Sequence, residues 1–317
     1  MVLMSAELVS VRERIGRVGV WFGKIGTEPA AVGRAAAATI EELGYRTLWI
    51  SEGPNTKEAL THAGILLAGS QRLVLATGIA QIWARDANAT NNGSNTLAEA
   101  YPGRFLLGLG VSHAPLVTMR GQVYERPLEA MRRYLGAMDQ ARYDAPAPEQ
   151  PVPRVLAALR PKMLELSRDH ADGAHPYLVP PEHTVLARER LGESPLLAPE
   201  QTVVIDTDPA RARALAREYV SNYLALPNYV NNLRALGYGD DDLAGGGSDR
   251  LVDALVVQGD VPAVVARIRA HLDAGADHVA VQALAPDVSG ALSQLRELAT
   301  ALPDLAGTAR SRSAVTP

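Results

Sequence analysis

Eight short apolar runs recur along the chain, each followed by a segment with the signals of a helix. Apolar and polar residues do not alternate within the runs, which is typical of strands covered on both faces in a parallel sheet. We expect these strands at 18–22, 47–52, 73–80, 104–111, 155–159, 173–179, 202–206 and 278–284. Eight such units close a (β/α)₈ TIM barrel, so the sequence predicts an α/β fold of this type.

Turn and capping residues separate the units. Asp260 is expected to cap the last long helix, which ends at Gly275. Prolines suited to the first position of a helix follow three of the strands, at Pro161, Pro181 and Pro209. The helices between the strands are therefore bounded by recognisable signals.

The alternation continues on both sides of the proline-rich segment 145–153, which we interpret as a loop inside one domain. A helical excursion over 210–260 separates the seventh and eighth strands. Its Tyr223, Tyr229, Asn231 and Asn232 can line the pocket or a dimer contact, but the preferred interpretation is that its helices pack on the outside of the barrel. The predicted organisation is a lead-in at 1–16, a single barrel domain at 17–306 and a disordered tail at 307–317.

An open doubly wound sheet is the competing fold. Such sheets usually carry a Gly-x-Gly-x-x-Gly turn after the first strand. Here the first strand ends Trp21-Phe22-Gly23-Lys24-Ile25-Gly26, which lacks that spacing. A P-loop is also absent from the sequence, so the barrel is preferred.

Composition excludes several classes of function. The 317 residues contain no cysteine, which removes disulfides, thiolate metal ligands and cysteine nucleophiles. The net charge of −4 comes from scattered acids and bases, so no nucleic-acid surface is expected. The chain start has no basic and apolar signal segment, and no apolar run is long enough to cross a bilayer. We expect a cytoplasmic protein without a membrane segment.

Residues just after the strands of a barrel meet at one face, where ligands bind. The run 104–111 ends there in Ser112 and His113, and Gly110 allows close approach to the backbone. The other residues predicted at this face are Trp21, Phe22, Glu52, Thr77, Gly78, Leu159, Arg160, His175 and Gln282. Because histidines and carboxylates are not closely spaced among them, no metal site is expected.

Several of these residues also have a plainer interpretation. Ser112 and His113 can be ordinary loop residues, and His175 can be a core histidine bonded within its strand end. Glu52 can be a general acid or base, or only the cap of the following loop. Glycosidase chemistry lacks a nearby pair of carboxylates, and hydrolase chemistry lacks a Gly-x-Ser-x-Gly motif.

The turn after the fifth strand predicts a phosphate site. Ala158 and Leu159 end the strand, and Arg160, Pro161 and Lys162 open a helix. Free N–H groups and the positive end of a helix attract phosphate, and the two cations add charge. The alternative is that both cations are solvated surface residues.

Five stretches, covering nearly the whole chain, carry a resemblance to a known family. They are Gly44-Tyr45-Arg46-Thr47-Leu48-Trp49-Ile50 with Glu52, Ala76-Thr77-Gly78-Ile79, the run from Pro102 to Val111, Arg160-Pro161-Lys162-Met163-Leu164-Glu165-Leu166 with Ala171-Asp172-Gly173-Ala174, and the run from Leu272 to Val279. In this order they resemble the luciferase-like monooxygenase superfamily. The Pro-Lys-Met-Leu-Glu-Leu run is similar to its deazaflavin-dependent (coenzyme F420) oxidoreductases.

The resemblance implies roles for matching positions. A cis peptide bond between Gly78 and Ile79 would support the cofactor ring, and His113 with Glu52 would be the catalytic residues. Cofactor-binding positions would be Trp21, Thr77, Gly78, Ile79, Gly110, Val111, Ser112, Ala158, Leu159, Arg160, Pro161, Lys162, Gly173, Ala174 and His175. A homodimer is expected as well.

Three functions follow as hypotheses. The first is hydride transfer between coenzyme F420 and a small organic substrate. The second is a two-component monooxygenase that uses flavin mononucleotide (FMN) and needs a separate reductase. The third is a non-catalytic deazaflavin-binding protein, which is favoured by Gly53, since a catalytic histidine is common there in the family.

Overall fold

The computed structural model describes residues 11–305. Its strands are β1 Val18–Trp21, β2 Thr47–Ile50, β3 Val74–Thr77, β4 Ala80–Gln81, β5 Phe105–Gly110, β6 Arg154–Leu156, β7 Gly173–Ala174, β8 Leu196–Leu197, β9 Glu200–Ile205, β10 Val256–Gly259 and β11 Val279–Ala283. Its helices are α1 Ala30–Glu42, α2 Ala59–Leu67, α3 Ala87–Ala100, α4 Ala114–Thr118, α5 Pro127–Asp139, α6 Pro161–His170, α7 Pro181–Leu191, α8 Pro209–Leu224, α9 Pro227–Ala235, α10 Asp240–Leu243, α11 Asp249–Leu255, α12 Val261–Asp273, α13 Val288–Ala299 and α14 Leu302–Leu305. Residues 11–15 are also helical, and Gly23–Gly26 form a 3₁₀ turn.

All strand pairs are parallel, and the first strand lies beside the last. β1 pairs with β2 on one side and with β11 on the other, and pairing continues from β2 through β3, β5, β6 and β7 to β8. The segment from β8 to β9 then changes partner. The Ala198 N–H donates to the Ala174 carbonyl beside β7 at 3.0 Å, and the Ala280 N–H of β11 donates to the Pro199 carbonyl at 2.9 Å. This switch closes the sheet, and the predicted TIM-barrel-like α/β fold is confirmed.

Three predicted strands are wrong in extent. The strand expected at 155–159 is β6, which ends at Leu156, so Ala158 and Leu159 lie in the turn that follows it. The strand expected at 173–179 is only the two residues of β7, because Pro176 has no N–H to donate and Leu178 adopts a left-handed backbone with φ 54°. The strand expected at 202–206 starts earlier, at Glu200. It is preceded by β8, which the sequence interpretation missed because Pro199 separates the two pieces.

Three other elements differ from expectation. The strand expected at 73–80 is split by a cis peptide bond into β3 and β4, and β4 pairs with β5. The excursion expected to be helical contains β10, which adds to the sheet beside β9. A further helix, α13, follows β11, so α12 is not the last long helix.

The expected helix boundaries are confirmed where they can be checked. The Asp260 carboxylate accepts the Ala263 N–H at 3.0 Å, and Gly275 has a left-handed φ of 103° just beyond α12. Pro161, Pro181 and Pro209 occupy the first turns of α6, α7 and α8.

Two apolar layers hold the barrel together. Trp49, Leu106 and Val155 belong to the group that fills its interior, whereas residues such as Ile40 and Leu66 pack the outer helices onto the sheet. Within 11–305 no helix is both long and apolar enough to cross a membrane. The tail expected at 307–317 and the first ten residues of the expected lead-in lie outside the described residues.

Candidate active site at the barrel mouth

A cis peptide bond joins Gly78 and Ile79, as the family resemblance implies. The Gly78 N–H donates to the Ile50 carbonyl of β2 at 2.7 Å. Its carbonyl accepts the indole N–H of Trp21, from the end of β1, at 3.0 Å. The turn between β3 and β4 is therefore fixed by two neighbouring strands at the mouth of the barrel.

Glycine is required on both sides of this turn. A Cβ atom on Gly78 would lie 2.7 Å from Trp21 Nε1 and 3.0 Å from His175 Nε2. A Cβ atom on Gly110, at the end of β5, would overlap the side chain of Ile79. Both glycines are buried in close contact with these side chains, and we call Gly78, Ile79 and Gly110 the cradle.

Thr77 supports the cradle from below. Its hydroxyl donates to the Gly108 carbonyl at 2.7 Å and accepts the Gly108 N–H at 2.8 Å, and so it bridges β3 and β5. A Cβ atom on Gly108 would collide with the Thr77 carbonyl oxygen. Thr77 thus lies among the strand ends as expected, but its side chain is engaged in linking them.

His175 lies beneath the cradle and is almost fully buried. Its Nδ1–H donates to the Ala198 carbonyl at 2.6 Å, and its ring stacks on Trp49 with centroids 4.2 Å apart. Burial lowers the pKa of His175 to about 4, so the imidazole is neutral at pH 7. Within the described chain Nε2 has no hydrogen-bond partner, and it lies 3.0 Å from the point that a Cβ atom on Gly78 would occupy.

Glu52 is buried next to the cradle. Its carboxylate accepts the Gln81 N–H at 2.8 Å and the Ala59 N–H at 3.2 Å, and it forms an ion pair with Arg85. Arg85 also pairs with Glu58 at 2.6 Å. Both carboxylate oxygens therefore hold parts of the protein, which suits a positioning role better than proton transfer.

His113 stands at the opposite side of the mouth, at the start of α4. Its ring contacts Tyr229 of α9, with centroids 5.3 Å apart, and burial lowers the pKa of His113. Ser112 before it has φ 57°, a left-handed conformation that costs a non-glycine residue about 1 to 3 kcal/mol. Val111 accepts the Trp83 indole N–H at 2.8 Å through its carbonyl. The two predicted catalytic residues have separate sets of contacts.

The turn from Ala158 to Lys162 lies where a phosphate site was predicted. Arg160 and Lys162 are exposed, and among the described residues no side chain caps the start of α6. The structure adds a residue that the sequence interpretation missed, because the Leu159 carbonyl accepts the His183 Nε2–H of α7 at 2.6 Å. In the sequence, the one signal for His183 is its place two residues after Pro181, where the helix was predicted to start.

Gly173 and Ala174 form β7, below this turn. Both are buried, and a Cβ atom on Gly173 would collide with the Leu196 carbonyl oxygen of β8. Close strand packing is thus a structural reason for glycine at this position.

Two tyrosines of the excursion, Tyr223 and Tyr229, join an aromatic group at the mouth, although packing on the outside of the barrel was the preferred expectation for them. Tyr177, which follows β7, contacts Trp21 with ring centroids 5.0 Å apart. Tyr223 of α8 lies 5.6 Å from Tyr177 and 5.0 Å from Tyr229 between ring centroids. We call Trp21, Tyr177, Tyr223, Tyr229 and His113 the aromatic arch, since these rings span the mouth from β1 to the end of β5.

A buried carboxyl group lies near the arch. Glu200 accepts the Thr202 hydroxyl at 2.5 Å and the Leu178 N–H at 3.1 Å. Burial raises the pKa of Glu200 to about 7. Its bond to Leu178 helps to hold the left-handed backbone that follows Tyr177. Across residues 11–305 no cluster of histidines and carboxylates could hold a metal ion.

Fold and site together define the class: a parallel α/β barrel enzyme with a glycine-lined cis-peptide cradle at the carboxyl ends of its strands. The luciferase-like monooxygenase model matches residues 17–278, and the chain belongs to this family of oxidoreductases. The family expected from the sequence motifs is confirmed.

Two relatives by sequence carry informative names. A 5,10-methylenetetrahydromethanopterin reductase of Methanolobus tindarius is 24% identical over 284 residues, which cover 77% of this chain and 87% of the relative. A protein of Mycobacterium tuberculosis named as a coenzyme F420-dependent oxidoreductase is 24% identical over 347 aligned positions, which cover 89% of this chain and 98% of that protein.

Solved structures share the fold at low sequence identity. An F420-dependent secondary alcohol dehydrogenase, solved with an F420-acetone adduct, has a TM-score of 0.72 at 16% identity, covering 89% of this chain and 98% of its own. A type II Baeyer-Villiger monooxygenase of Pseudomonas putida, solved with FMN, has a TM-score of 0.69 at 15% identity, covering 92% of this chain and 98% of its own. The fold is therefore common to users of both cofactors.

Proposed function

We propose that this protein is an oxidoreductase that transfers a hydride between coenzyme F420 and a small organic substrate. The observation that carries the proposal is the cradle at the carboxyl ends of β3 and β5, where Gly78 and Gly110 have no side chain and the unpartnered Nε2 of His175 lies beside Gly78. The sequence relatives named above, a reductase and an F420-dependent oxidoreductase, support the choice of cofactor.

The residues present fit a flat ring joined to a phosphate. Gly78 and Gly110 carry no side chain at the strand ends where a ring would lie, and the buried, unpartnered Nε2 of His175 is next to Gly78. The exposed start of α6 adds Arg160 and Lys162, which suit an anionic group. Residues that would hold the cofactor are Trp21, Thr77, Gly78, Ile79, Gly110, Val111, Ser112, Ala158, Leu159, Arg160, Pro161, Lys162, Gly173, Ala174 and His175.

When bound, the deazaflavin accepts or supplies the hydride. His113 moves the accompanying proton. Its lowered pKa leaves the imidazole neutral at pH 7, so it can accept the hydroxyl proton of an alcohol as the C–H hydride leaves. In the reverse direction the imidazolium returns that proton to the carbonyl oxygen. Glu52 acts as a positioning residue, since its carboxylate holds the Gln81 N–H just after the cradle.

An FMN-dependent monooxygenase is the second candidate. It is favoured by the structural likeness to the FMN-bound Baeyer-Villiger enzyme. The TM-score of 0.69 for that enzyme equals the TM-score for another monooxygenase of this fold. A non-catalytic deazaflavin-binding protein is the third, because Gly53 stands where the family commonly has a catalytic histidine.

Fluorescence titration of the purified protein with F420 and, in parallel, with FMN separates these functions. Binding of F420 alone, followed by turnover with ketones or secondary alcohols, supports the proposal. Binding of FMN alone moves the function to the monooxygenase, and F420 binding without turnover on any such substrate supports the carrier. The cytoplasmic location and the homodimer stay predictions, which fractionation and light scattering can test.

A further inference from the structure

We propose that the Tyr229 hydroxyl donates a hydrogen bond to the reacting oxygen of the substrate, which is the carbonyl oxygen of a ketone or the hydroxyl oxygen of the matching alcohol. Tyr229 is then a further catalytic residue of the proposed oxidoreductase, so the inference rests on that function. It is carried by a hydroxyl without a partner, by a ring that other rings hold in place and by contact with the proposed proton-transfer residue, His113.

The hydroxyl of Tyr229 is a donor without an acceptor in the described chain. The residue is only 7% exposed, and nothing within residues 11–305 forms a hydrogen bond with this hydroxyl. Buried phenols ordinarily find a partner, as the Tyr45 hydroxyl does when it donates to the Leu295 carbonyl at 2.9 Å. The Tyr229 hydroxyl is therefore available to a ligand.

The neighbouring phenols are engaged with one another. The Tyr177 and Tyr219 hydroxyls lie 2.8 and 3.1 Å from Gln282 Oε1 and also contact each other. The Tyr223 hydroxyl lies 3.0 Å from that of Tyr177 and 3.2 Å from that of Tyr219. Each phenol has one proton, and these three protons are used within the cluster. Tyr229 contacts the cluster through its ring alone, so its own proton is not used there.

Three rings hold the Tyr229 side chain in place. Its ring centroid lies 5.3 Å from that of His113, 5.0 Å from that of Tyr223 and 6.5 Å from that of Tyr177. The two contacts with tyrosines are edge-to-face, which is a favourable geometry for aromatic pairs. The position of the hydroxyl is thus fixed before a substrate arrives, and such a donor needs no reorganisation when charge develops on an oxygen.

The Tyr229 oxygen is also within reach of a small ligand. In the described chain the fully enclosed polar atoms without a partner include His175 Nε2, and the Tyr229 oxygen is not one of them. Tyr229 lies beside His113, which follows the carboxyl end of β5 at the barrel mouth. A substrate oxygen placed between these two side chains can accept from the hydroxyl and exchange its proton with the imidazole.

The two side chains divide the chemistry because they hold their protons differently. Burial raises the pKa of Tyr229 well above its ordinary value, so the phenol stays protonated at pH 7 and acts as a donor only. Burial lowers the pKa of His113, which makes the imidazole the group that exchanges a proton. As the hydride reaches the carbonyl carbon, the π electron pair of the C=O bond moves to oxygen. The hydroxyl stabilises this negative charge, and the imidazolium supplies the proton that completes the alcohol.

The oxidation direction uses the same contacts. The Tyr229 hydroxyl then holds the alcohol oxygen, His113 accepts the hydroxyl proton, and the C–H hydride leaves as the C=O bond forms.

Tyr229→Phe tests the hydroxyl, because it keeps the ring and removes only the oxygen. With reduced F420 and a panel of acetone, cyclohexanone and acetophenone, kcat should fall about 10²-fold, the effect of losing one donor to a developing oxyanion. The KM for the ketone and the inflection of the pH profile set by His113 should hardly change. Tyr143→Phe is the matched control, since its hydroxyl contacts Thr96 outside the arch, and it should keep the wild-type kinetics.

The stability of Tyr229→Phe is checked by urea unfolding. Because the lost hydroxyl has no partner in the part of the chain that the structure describes, the variant should be as stable as the wild type.

A second measurement needs no turnover. The same ketones, labelled with ¹³C at the carbonyl, are titrated into the whole protein with oxidised F420, so that no hydride is transferred. A hydrogen bond to the carbonyl oxygen moves its ¹³C NMR signal downfield. The signal of the bound ketone should therefore lie further downfield in the wild type and in Tyr143→Phe than in Tyr229→Phe. If Tyr229 had only a structural role, this signal would be the same in all three proteins.

The outcomes separate this inference from the proposed function. If ketones are reduced with F420, but Tyr229→Phe has the wild-type kcat or the wild-type ¹³C signal, the proposed function stands and the inference is overturned. If no ketone is reduced, but the bound signal lies further downfield in the wild type than in Tyr229→Phe, the hydroxyl is supported as the donor and the hydride-transfer proposal fails. If there is neither reduction nor a difference in signal, both fail.

Discussion

The cradle and the aromatic arch meet at one barrel mouth but are built in different ways. The cradle is formed mainly by main chain, because Gly78 and Gly110 stand where a Cβ atom does not fit. The arch consists of large side chains, two of them supplied by the helices α8 and α9 of the excursion. The cradle should therefore tolerate few substitutions, whereas the arch can change its side chains and its ligand while the fold is kept.

The sharpest test of this contrast is Gly108→Ala, under the cradle. Its Cβ atom would collide with the Thr77 carbonyl oxygen, which belongs to the backbone and cannot rotate away. We expect a loss of more than about 5 kcal/mol in the free energy of unfolding and no folded protein. Circular dichroism without denaturant detects the loss of folded protein, and urea unfolding measures the stability of any variant that still folds. Gly136→Ala is the control, because open space surrounds Gly136 in α5 and alanine should stabilise that helix by about 1 kcal/mol. Equal stability of the two variants would refute the contrast.

At the arch, His113→Ala should leave the fold intact and reduce kcat by about 10³-fold, the range of a lost general acid or base. The His113 side chain contacts the ring of Tyr229 and does not hold the backbone, so its removal should not disturb the fold. Steady-state kinetics and the dissociation constant of F420, which should hardly change, are measured together. The exposed His170→Ala serves as control. An unchanged kcat would exclude His113 from proton transfer.

Arg85 forms ion pairs with two carboxylates, the buried Glu52 and the more exposed Glu58. Substituting each in turn compares a buried with an exposed ion pair. Glu52→Gln leaves the buried guanidinium poorly compensated beside the cradle, and should cost about 3 kcal/mol in the free energy of unfolding. Glu58→Gln affects a half-exposed side chain and should cost about 1 kcal/mol. Thermal or urea denaturation measures the loss of stability in both variants. Similar losses in the two would show that burial does not set the strength of these ion pairs.

Stability should also depend on pH through the imidazoles inside the barrel. Burial lowers the pKa of His175 and of His278 to about 4, below the unfolded value of about 6.5. The unfolded state then binds more protons, so the free energy of unfolding falls as the pH drops from about 6.5 towards 4, by about 2 kcal/mol per imidazole at pH 5. Urea midpoints at several pH values measure this slope, and His170→Gln should not alter it. A flat profile would mean that both rings stay accessible to protons.

The positions of Gly78 and Gly110 at strand ends were predictable from the sequence, whereas the place of Tyr223 and Tyr229 stayed open between the pocket, a dimer contact and the outside of the barrel. Gly78, Gly110 and the turn at Arg160 lie in short contiguous motifs at strand ends, where the βα alternation fixes their place. Tyr223 and Tyr229 reach the mouth only through the packing of α8 and α9, and no local spacing reports that. The same limit explains the missed β8 and β10, whose two and four residues form strands only because β7 and β9 offer them pairing edges.

The pairing of β1 with β11 has a consequence for the chain as it is made. Val18 pairs with Val279, so the second edge of the first strand stays uncovered until the last described strand is present. Contacts of such sequence separation slow folding, and an unpaired parallel edge is open to other chains in the meantime. During synthesis the barrel can close only after β11 has left the ribosome, and a chain that stops before residue 279 keeps one edge of β1 unpaired.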